Sequence, residues 1–176
     1  MGKGRAMLLL FMGMVFLGCR SSGLHEERGT SPPPATLTRD EQVQVLLLRR
    51  QLDDPALEEY VTGTGRPVYV AVGANFFSHG REAKDPSDTV MAALGQHPYP
   101  MKKFSEYLEM VGGHARWRCE RVTIYWVGPL KWIDENTVET STGRYLGPKA
   151  ANGQELRLHW KDGHWEIEWL GGGWIS

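Results

Sequence analysis

The segment from Glu155 to Leu170 constrains the fold more than any other part of the chain, because it predicts one β-hairpin in one register. Asp162-Gly163 favours the two-residue type I′ turn. Pairing across this turn places apolar side chains on one face, in the pairs Trp160 with Trp165, Leu158 with Ile167 and Leu156 with Trp169. The other face receives Arg157 with Glu168 and His159 with Glu166. A shift by one residue would exchange the two faces, so the sequence predicts this register.

The polar face of this hairpin carries groups that also occur in catalytic and metal sites. Glu166 and Glu168 are two carboxylates two residues apart, an arrangement that suggests acid–base catalysis. Opposite Arg157 and His159, however, they form solvated cross-strand pairs. His159 and His164 suggest a metal site, but no third ligand follows at a known spacing. We therefore expect surface ion pairs here, and we assign no catalytic residue, no cofactor and no metal ligand in this chain.

The chain from Thr38 onward predicts helices first and strands afterwards. Helix starts are indicated by the capping box Thr38-Arg39-Asp40-Glu41, by Asp54-Pro55 and by Asp85-Pro86. Strands are predicted at 67–72, 117–127, 131–133, 137–146, 155–161 and 164–170. The segment 102–111 is ambiguous and also fits a short helix. This order indicates an α+β domain, with N-terminal helices packed on a curved antiparallel sheet of four to six strands.

This order of elements resembles the cystatin-like and NTF2-like folds, in which helices pack on a strongly curved sheet. The resemblance implies a pocket inside the cone of the sheet. Strand 117–127 would place Arg121, Thr123 and Tyr125 on one face, with His114 just before it. These residues are the candidates for a general acid or base if the protein is an enzyme. The C-terminal half is also similar to secreted bacterial proteins that end in Trp-Ile-Ser, a likeness that implies no activity.

The distribution of tryptophan is uneven, because all of it lies after residue 116. The positions are Trp117, Trp126, Trp132, Trp160, Trp165, Trp169 and Trp174. Such side chains fill the core of a small sheet, and the hairpin register places Trp160, Trp165 and Trp169 on the core face. The alternative is an exposed aromatic platform for a glycan. Trp117 and Trp126 fall on opposite faces of one strand, so one of them is a candidate for that platform.

The N-terminus has the order of an export signal. Lys3 and Arg5 form a basic start, residues 6–17 form an apolar run, and Gly18 precedes Cys19. A membrane-spanning helix needs about 20 apolar residues, more than this run supplies. Phe16-Leu17-Gly18-Cys19 resembles the lipobox of bacterial lipoproteins, in which the cysteine after the cleavage site is acylated. The resemblance implies that Cys19 is lipidated and that the membrane is a partner.

This interpretation divides the chain into three parts. Residues 1–18 are the expected signal peptide, 19–37 the lipidated cysteine with a flexible Ser-, Gly- and Pro-containing tether, and 38–176 a single globular α+β domain. We expect a membrane-anchored lipoprotein of the bacterial cell envelope that faces the periplasm or the exterior. Cleavage without acylation would give a soluble secreted or periplasmic form instead. Cys119 is then a lone thiol, and its strand context predicts a small buried residue.

The net charge of the chain indicates which class of binding partner to expect. Loss of residues 1–18 removes two of the 20 basic residues, which leaves 18 against 21 acidic ones, a net charge of −3. Nucleic-acid-binding proteins usually carry a basic stripe, so we expect no nucleic-acid partner. The favoured function is a non-catalytic envelope domain that binds an envelope protein or a glycan. The alternative is a small NTF2-like enzyme with its pocket in the sheet cone.

Overall fold

The computed structural model describes residues 36–54, 65–73, 83–110, 122–147 and 150–175. Within these residues there are three helices, α1 (Arg39–Leu52), α2 (Asp88–Leu94) and α3 (Phe104–Met110). The strands are β1 (Val68–Val72), β2 (Met101–Lys103), β3 (Thr123–Val127), β4 (Lys131–Trp132), β5 (Thr137–Gly147), β6 (Ala150–Lys161) and β7 (His164–Ile175). In this part of the chain, no helix is long and apolar enough to cross a membrane.

The strands form one sheet in the order β2-β1-β3-β5-β6-β7, and β4 pairs with β5. The α+β class and the helices packed on the sheet are confirmed. The sheet is mixed, however, where the sequence predicted only antiparallel strands, because β1 lies parallel to both β2 and β3. Helical segments lie in the connections that follow β1, and parallel neighbours need crossover connections of this kind. The predicted antiparallel meander corresponds to β3, β5, β6 and β7, with the short β4 beside it.

Helix α1 begins at the predicted capping box. The Thr38 side chain accepts a hydrogen bond from the Glu41 amide, and the Glu41 carboxylate accepts one from the Thr38 amide at 2.9 Å. The same carboxylate accepts a hydrogen bond from the hydroxyl of Ser87 at 2.5 Å, and Ser87 is the N-cap of α2. The bond from Ser87 is the largest cause that lowers the pKa of Glu41. One exposed carboxylate therefore joins the N-termini of two helices. The helix predicted after Asp54-Pro55 lies outside the described residues.

The sheet is buried on both faces at β1 and β3. On one face, α1 and α2 pack against the sheet through a cluster of buried residues: Val43, Leu47, Leu48, Leu52, Val90, Leu94, Val70, Tyr125, Val127, Leu156 and Leu158. On the other face, Phe104 and Tyr107 of α3 pack with Tyr69 and Trp126. All five residues of each of these two strands are buried. Central strands covered on both sides are expected to be apolar throughout, and the sequences of β1 and β3 are almost entirely apolar.

The predicted hairpin register is confirmed in all five pairs. Asp162 and Gly163 have φ values of 50° and 83°, as a type I′ turn requires, and the rings of Trp160 and Trp165 lie 5.2 Å apart. On the polar face the predicted Arg157–Glu168 pair forms, whereas the His159 ring lies 3.3 Å from Glu168 rather than against Glu166, which pairs with Lys161 at 3.5 Å. Arg157 lies 3.6 Å from Glu168, and it also pairs with Glu139 of β5 at 2.6 Å.

The prediction that the whole apolar face of the hairpin is core is wrong at Trp169. Leu156 and Leu158 are buried, Trp160, Trp165 and Ile167 are partly buried, and Trp169 is 48% exposed. Trp169 is exposed because it lies on β7, which is the edge strand of the sheet, whereas Leu156 and Leu158 lie on β6, which has strands on both sides. Trp126 is 1% exposed and belongs to the core, and Trp117 lies outside the described residues.

A pair of glycine substitutions tests the close contact between β5 and β6. A Cβ atom at Gly143 would lie 2.2 Å from the carbonyl oxygen of Asn152 and 2.8 Å from the Trp126 ring, whereas one at Gly173 would meet nothing closer than 3.7 Å. Gly143→Ala should lower the free energy of unfolding by about 1–3 kcal/mol in urea titrations, because both neighbours are fixed. Gly173→Ala is the control and should change it by less than about 0.5 kcal/mol. Equal effects of the two substitutions would contradict the described packing.

Candidate functional site

A cleft of about 490 Å³ opens between the C-terminal half of α1 and the sheet face that α1 covers. Its wall is formed by Leu47, Arg50 and Gln51 of α1, with Asp54 just beyond the helix. Its volume is that of an ordinary small-molecule site, since such sites hold about 300–1,000 Å³. The cleft is therefore the candidate functional site of the described domain.

The floor of the cleft follows from the register of β5 and β6. Val138 pairs with Leu158 and Thr140 with Leu156, and the three apolar residues of these pairs belong to the core cluster that α1 covers. The next pairs on the same face are Thr142 with Gln154 and Arg144 with Asn152. Because side chains two residues apart share a face, the surface changes from apolar to polar along the same two strands. The polar end of this face lines the cleft.

Tyr125 of β3 brings a buried hydroxyl group to this site. The residue is 0% exposed, and its oxygen lies within hydrogen-bonding reach of the Arg144 guanidinium, whereas its proton has no acceptor of normal geometry among the described residues. Burial raises the pKa of the phenol well above its usual value, and the nearby Arg144 guanidinium offsets this only in part. The hydroxyl group therefore keeps its proton at neutral pH and is able to donate it to a hydrogen-bond acceptor.

Gln51 presents a second buried polar atom at the cleft wall. Its amide nitrogen donates to the hydroxyl of Thr142 at 2.5 Å, and that hydroxyl donates to the Trp126 carbonyl at 2.9 Å. These bonds hold the amide in one orientation. The Gln51 carbonyl oxygen is buried and has no partner among the described residues. A buried polar atom without a partner costs about 1–3 kcal/mol, so the two unpaired atoms at one cleft point to a ligand.

The charged groups of the cleft are Arg50, Arg144 and Asp54. Arg144 pairs with Asp54 at 3.3 Å. The guanidinium carbon of Arg50 lies 5.1 Å from the centre of the Trp169 ring, a cation–π contact at the edge of the sheet. Two arginines against one aspartate give these groups a net charge of +1.

The structure brings one of the predicted candidates, Tyr125, into this site. Tyr125 lines the cleft, whereas Thr123 is buried outside its lining. His159, His164, Glu166 and Glu168 belong to the exposed ion pairs of the hairpin. In the described part of the chain, no three His, Cys, Asp or Glu side chains group as metal ligands do. His114, Cys119, Arg121 and the predicted lipidation site Cys19 lie outside the described residues.

Sequence reasoning did not find the polar groups that line the cleft together with Tyr125, namely Gln51, Arg144, Asn152 and Gln154. Gln51 stands 91 residues before its partner Thr142, so no local pattern connects them. The β5–β6 register carried a usable signal. Once Val138 is paired with Leu158, the alternate positions on that face become polar from Thr140 on β5 and from Gln154 on β6. A polar patch beside an apolar one on a single sheet face is typical of a binding site.

Comparison of the chain with protein-family models, with curated proteins and with solved structures finds no match. The function of the cleft is therefore argued from its own geometry.

Two tyrosine substitutions test whether the Tyr125 hydroxyl is unpaired in the free protein. Tyr125→Phe should leave the free energy of unfolding unchanged or raise it by up to about 1–3 kcal/mol, because it removes a buried donor without a partner. Tyr99→Phe is the matched control. The Tyr99 hydroxyl donates to the Leu52 carbonyl at 3.0 Å, so its loss should destabilise the fold by about 1 kcal/mol. Urea unfolding measures both changes, and a clear destabilisation by Tyr125→Phe would contradict the unpaired state.

Proposed function

We propose that the protein is a lipid-anchored protein of the bacterial cell envelope whose domain binds a small polar ligand in the cleft without catalysing a reaction. The observation that carries the binding function is that, among the described residues, the buried Tyr125 hydroxyl has no acceptor and the buried Gln51 carbonyl oxygen has no donor, and both residues line one cleft. A ligand that bonds to both would remove their desolvation cost. The helix wall and sheet floor also hold these groups on rigid elements, which lowers the entropy cost of binding.

The chemistry of the cleft favours binding over catalysis. A general base has to be deprotonated near the working pH, and the raised pKa of Tyr125 keeps its hydroxyl protonated. Asp54 is the other candidate in the lining, but it pairs with Arg144. The remaining polar groups of the lining are two guanidinium groups, three amides and one hydroxyl, which orient ligands through hydrogen bonds.

One observation favours the second candidate function, a small enzyme. Tyr125 lies close to a guanidinium group, and a protonated phenol is a possible general acid. The two functions differ in what Tyr125→Phe does. In a binding protein the substitution weakens the ligand complex by the value of one hydrogen bond. In an enzyme it removes turnover and leaves most of the affinity.

Membrane anchoring rests on the sequence. The resemblance of Phe16-Leu17-Gly18-Cys19 to a lipobox supports an acylated Cys19 and an envelope location. Residues 19–37 would then hold the domain away from the membrane surface as a tether. The cleft would face the envelope space and its soluble solutes.

The anchoring proposal predicts the result of a labelling experiment. Cys19→Ala should abolish incorporation of labelled palmitate and move the protein from the membrane to the soluble envelope fraction, since each buried methylene contributes about 0.8 kcal/mol to anchoring. Cys119→Ala changes the other cysteine of the chain and should keep both label and membrane fraction. Absence of label from the wild-type protein would refute the lipoprotein assignment.

The binding proposal predicts that a ligand raises the stability of the folded protein. A screen of envelope sugars, sugar acids and amino acids by thermal unfolding should identify compounds that stabilise it, by about 2.7 kcal/mol at 100 times the dissociation constant. Gln154→Trp should abolish this effect, because it fills the polar floor of the cleft.

The control is Glu166→Trp, which adds the same bulk to the exposed polar face of the hairpin and should leave the effect intact. A stabilising compound that Gln154→Trp does not affect would bind elsewhere. That result would overturn the cleft as the functional site.

A further inference from the structure

We propose that the ligand of the cleft is a small polyhydroxylated carboxylate, such as a sugar acid, whose carboxylate pairs with Arg50 and whose hydroxyl groups bond to Tyr125 and Gln51. The inference rests on the proposed binding function and names the chemical class of the ligand.

Arg50 differs from every other described arginine in its contacts. Arg144 and Arg157 pair with carboxylates, and Arg39 and Arg49 donate to the backbone carbonyls of Glu135 and Ala93. Arg66 also has a polar or electrostatic partner. Among the described residues, no side-chain hydrogen bond or carboxylate pair of Arg50 is formed, and its guanidinium group lies over the ring of Trp169.

This contact holds the Arg50 guanidinium group in an orientation that can bind an anion. The Trp169 ring lies against the guanidinium group and restricts its motion, while the N–H groups on the edge of the guanidinium stay available. A planar guanidinium group matches a carboxylate through two parallel hydrogen bonds. The net charge of the lining, +1, balances a monoanion such as a carboxylate better than a phosphate monoester, which carries about −1.5 to −2. A cationic ligand would meet two arginines and is disfavoured.

The uncharged groups of the cleft select the rest of the ligand. The Gln51 carbonyl oxygen needs a donor, and the protonated Tyr125 hydroxyl needs an acceptor. A hydroxyl group satisfies both needs, since it donates and accepts. An apolar acid would leave both atoms unpaired inside a filled cleft, at the cost of about 1–3 kcal/mol each. Asn152 and Gln154 offer further amide groups on the floor.

Size and the apolar walls fit a six-carbon acid. The volume of about 490 Å³ lies in the range of sites that enclose a small molecule. Leu47, Leu156 and Trp169 line the cleft and present apolar surface to the C–H faces of a sugar ring. The Trp169 side chain is 48% exposed, so the ligand would also cover apolar surface that water now contacts.

Isothermal titration calorimetry on the full processed protein tests this assignment with four probes. The probes are D-galacturonate, D-gluconate, D-glucose and hexanoate, which separate the carboxylate from the hydroxyl groups. At least one sugar acid should bind about tenfold more tightly than both glucose and hexanoate, since each lacks one of the two kinds of contact. If neither sugar acid binds more tightly than glucose, the assignment is overturned.

Two arginine variants make the test specific. Arg50→Gln should weaken binding of the sugar acid by about tenfold or more and leave glucose unchanged, because it removes the partner of the carboxylate alone. Arg39→Gln is the matched control, since Arg39 is in the same helix and also lies over a tryptophan, 5.9 Å from the centre of the Trp132 ring, outside the cleft lining. It should leave the affinity unchanged, and an equal loss in both variants would overturn the proposal.

The outcomes distinguish a wrong ligand class from a wrong proposed function. Neutral sugars could bind as tightly as sugar acids, with an affinity that Arg50→Gln does not change and Gln154→Trp abolishes. This result would refute the assignment of a sugar acid and keep the cleft as a binding site. Failure of every probe, together with a thermal screen in which Gln154→Trp changes nothing, would refute both.

Discussion

The burial of one face of α1 against the sheet is the interaction on which the rest of the structure depends. Val43, Leu47 and Leu48 are at most 1% exposed, and they close the core over Leu156 and Leu158. The helix has 14 residues and is therefore about 21 Å long, whereas the 12-residue strands beneath it reach about 40 Å. α1 therefore covers only part of this face, and the cleft lies beside its C-terminal turn.

The cleft lowers the stability that the same packing provides. Two buried polar atoms that lack partners among the described residues cost about 1–3 kcal/mol each, a large share of the about 5–15 kcal/mol by which domains are stable. An apolar residue in place of Tyr125 would remove one of these costs. A site whose free state is destabilised in this way gains that free energy back when a ligand supplies the missing bonds, which is how stability and function commonly oppose each other.

Local features of this fold were predictable and non-local ones were not. The hairpin register followed from the sequence because two faces and one turn all require the same pairing, and the α1 cap lies within four residues. The parallel pairing of β1 with β3 was not predictable, since about fifty residues separate the strands and neither carries a signal of orientation. The exposure of Trp169 depends on its place at the sheet edge. The hydrogen bond between Gln51 and Thr142 forms only in the tertiary fold, so the sequence did not predict it.

The central claim is that α1 is fixed on the sheet, so that the cleft exists before any ligand binds. Native-state amide hydrogen exchange of residues 43–52, followed by mass spectrometry or NMR without ligand, tests it most directly. Buried helix amides of a fixed core element exchange only through global unfolding, so their opening free energy should equal the free energy of unfolding from urea titration. Opening of α1 at several kcal/mol below that value, while β5 and β6 stay protected, would contradict a preformed cleft.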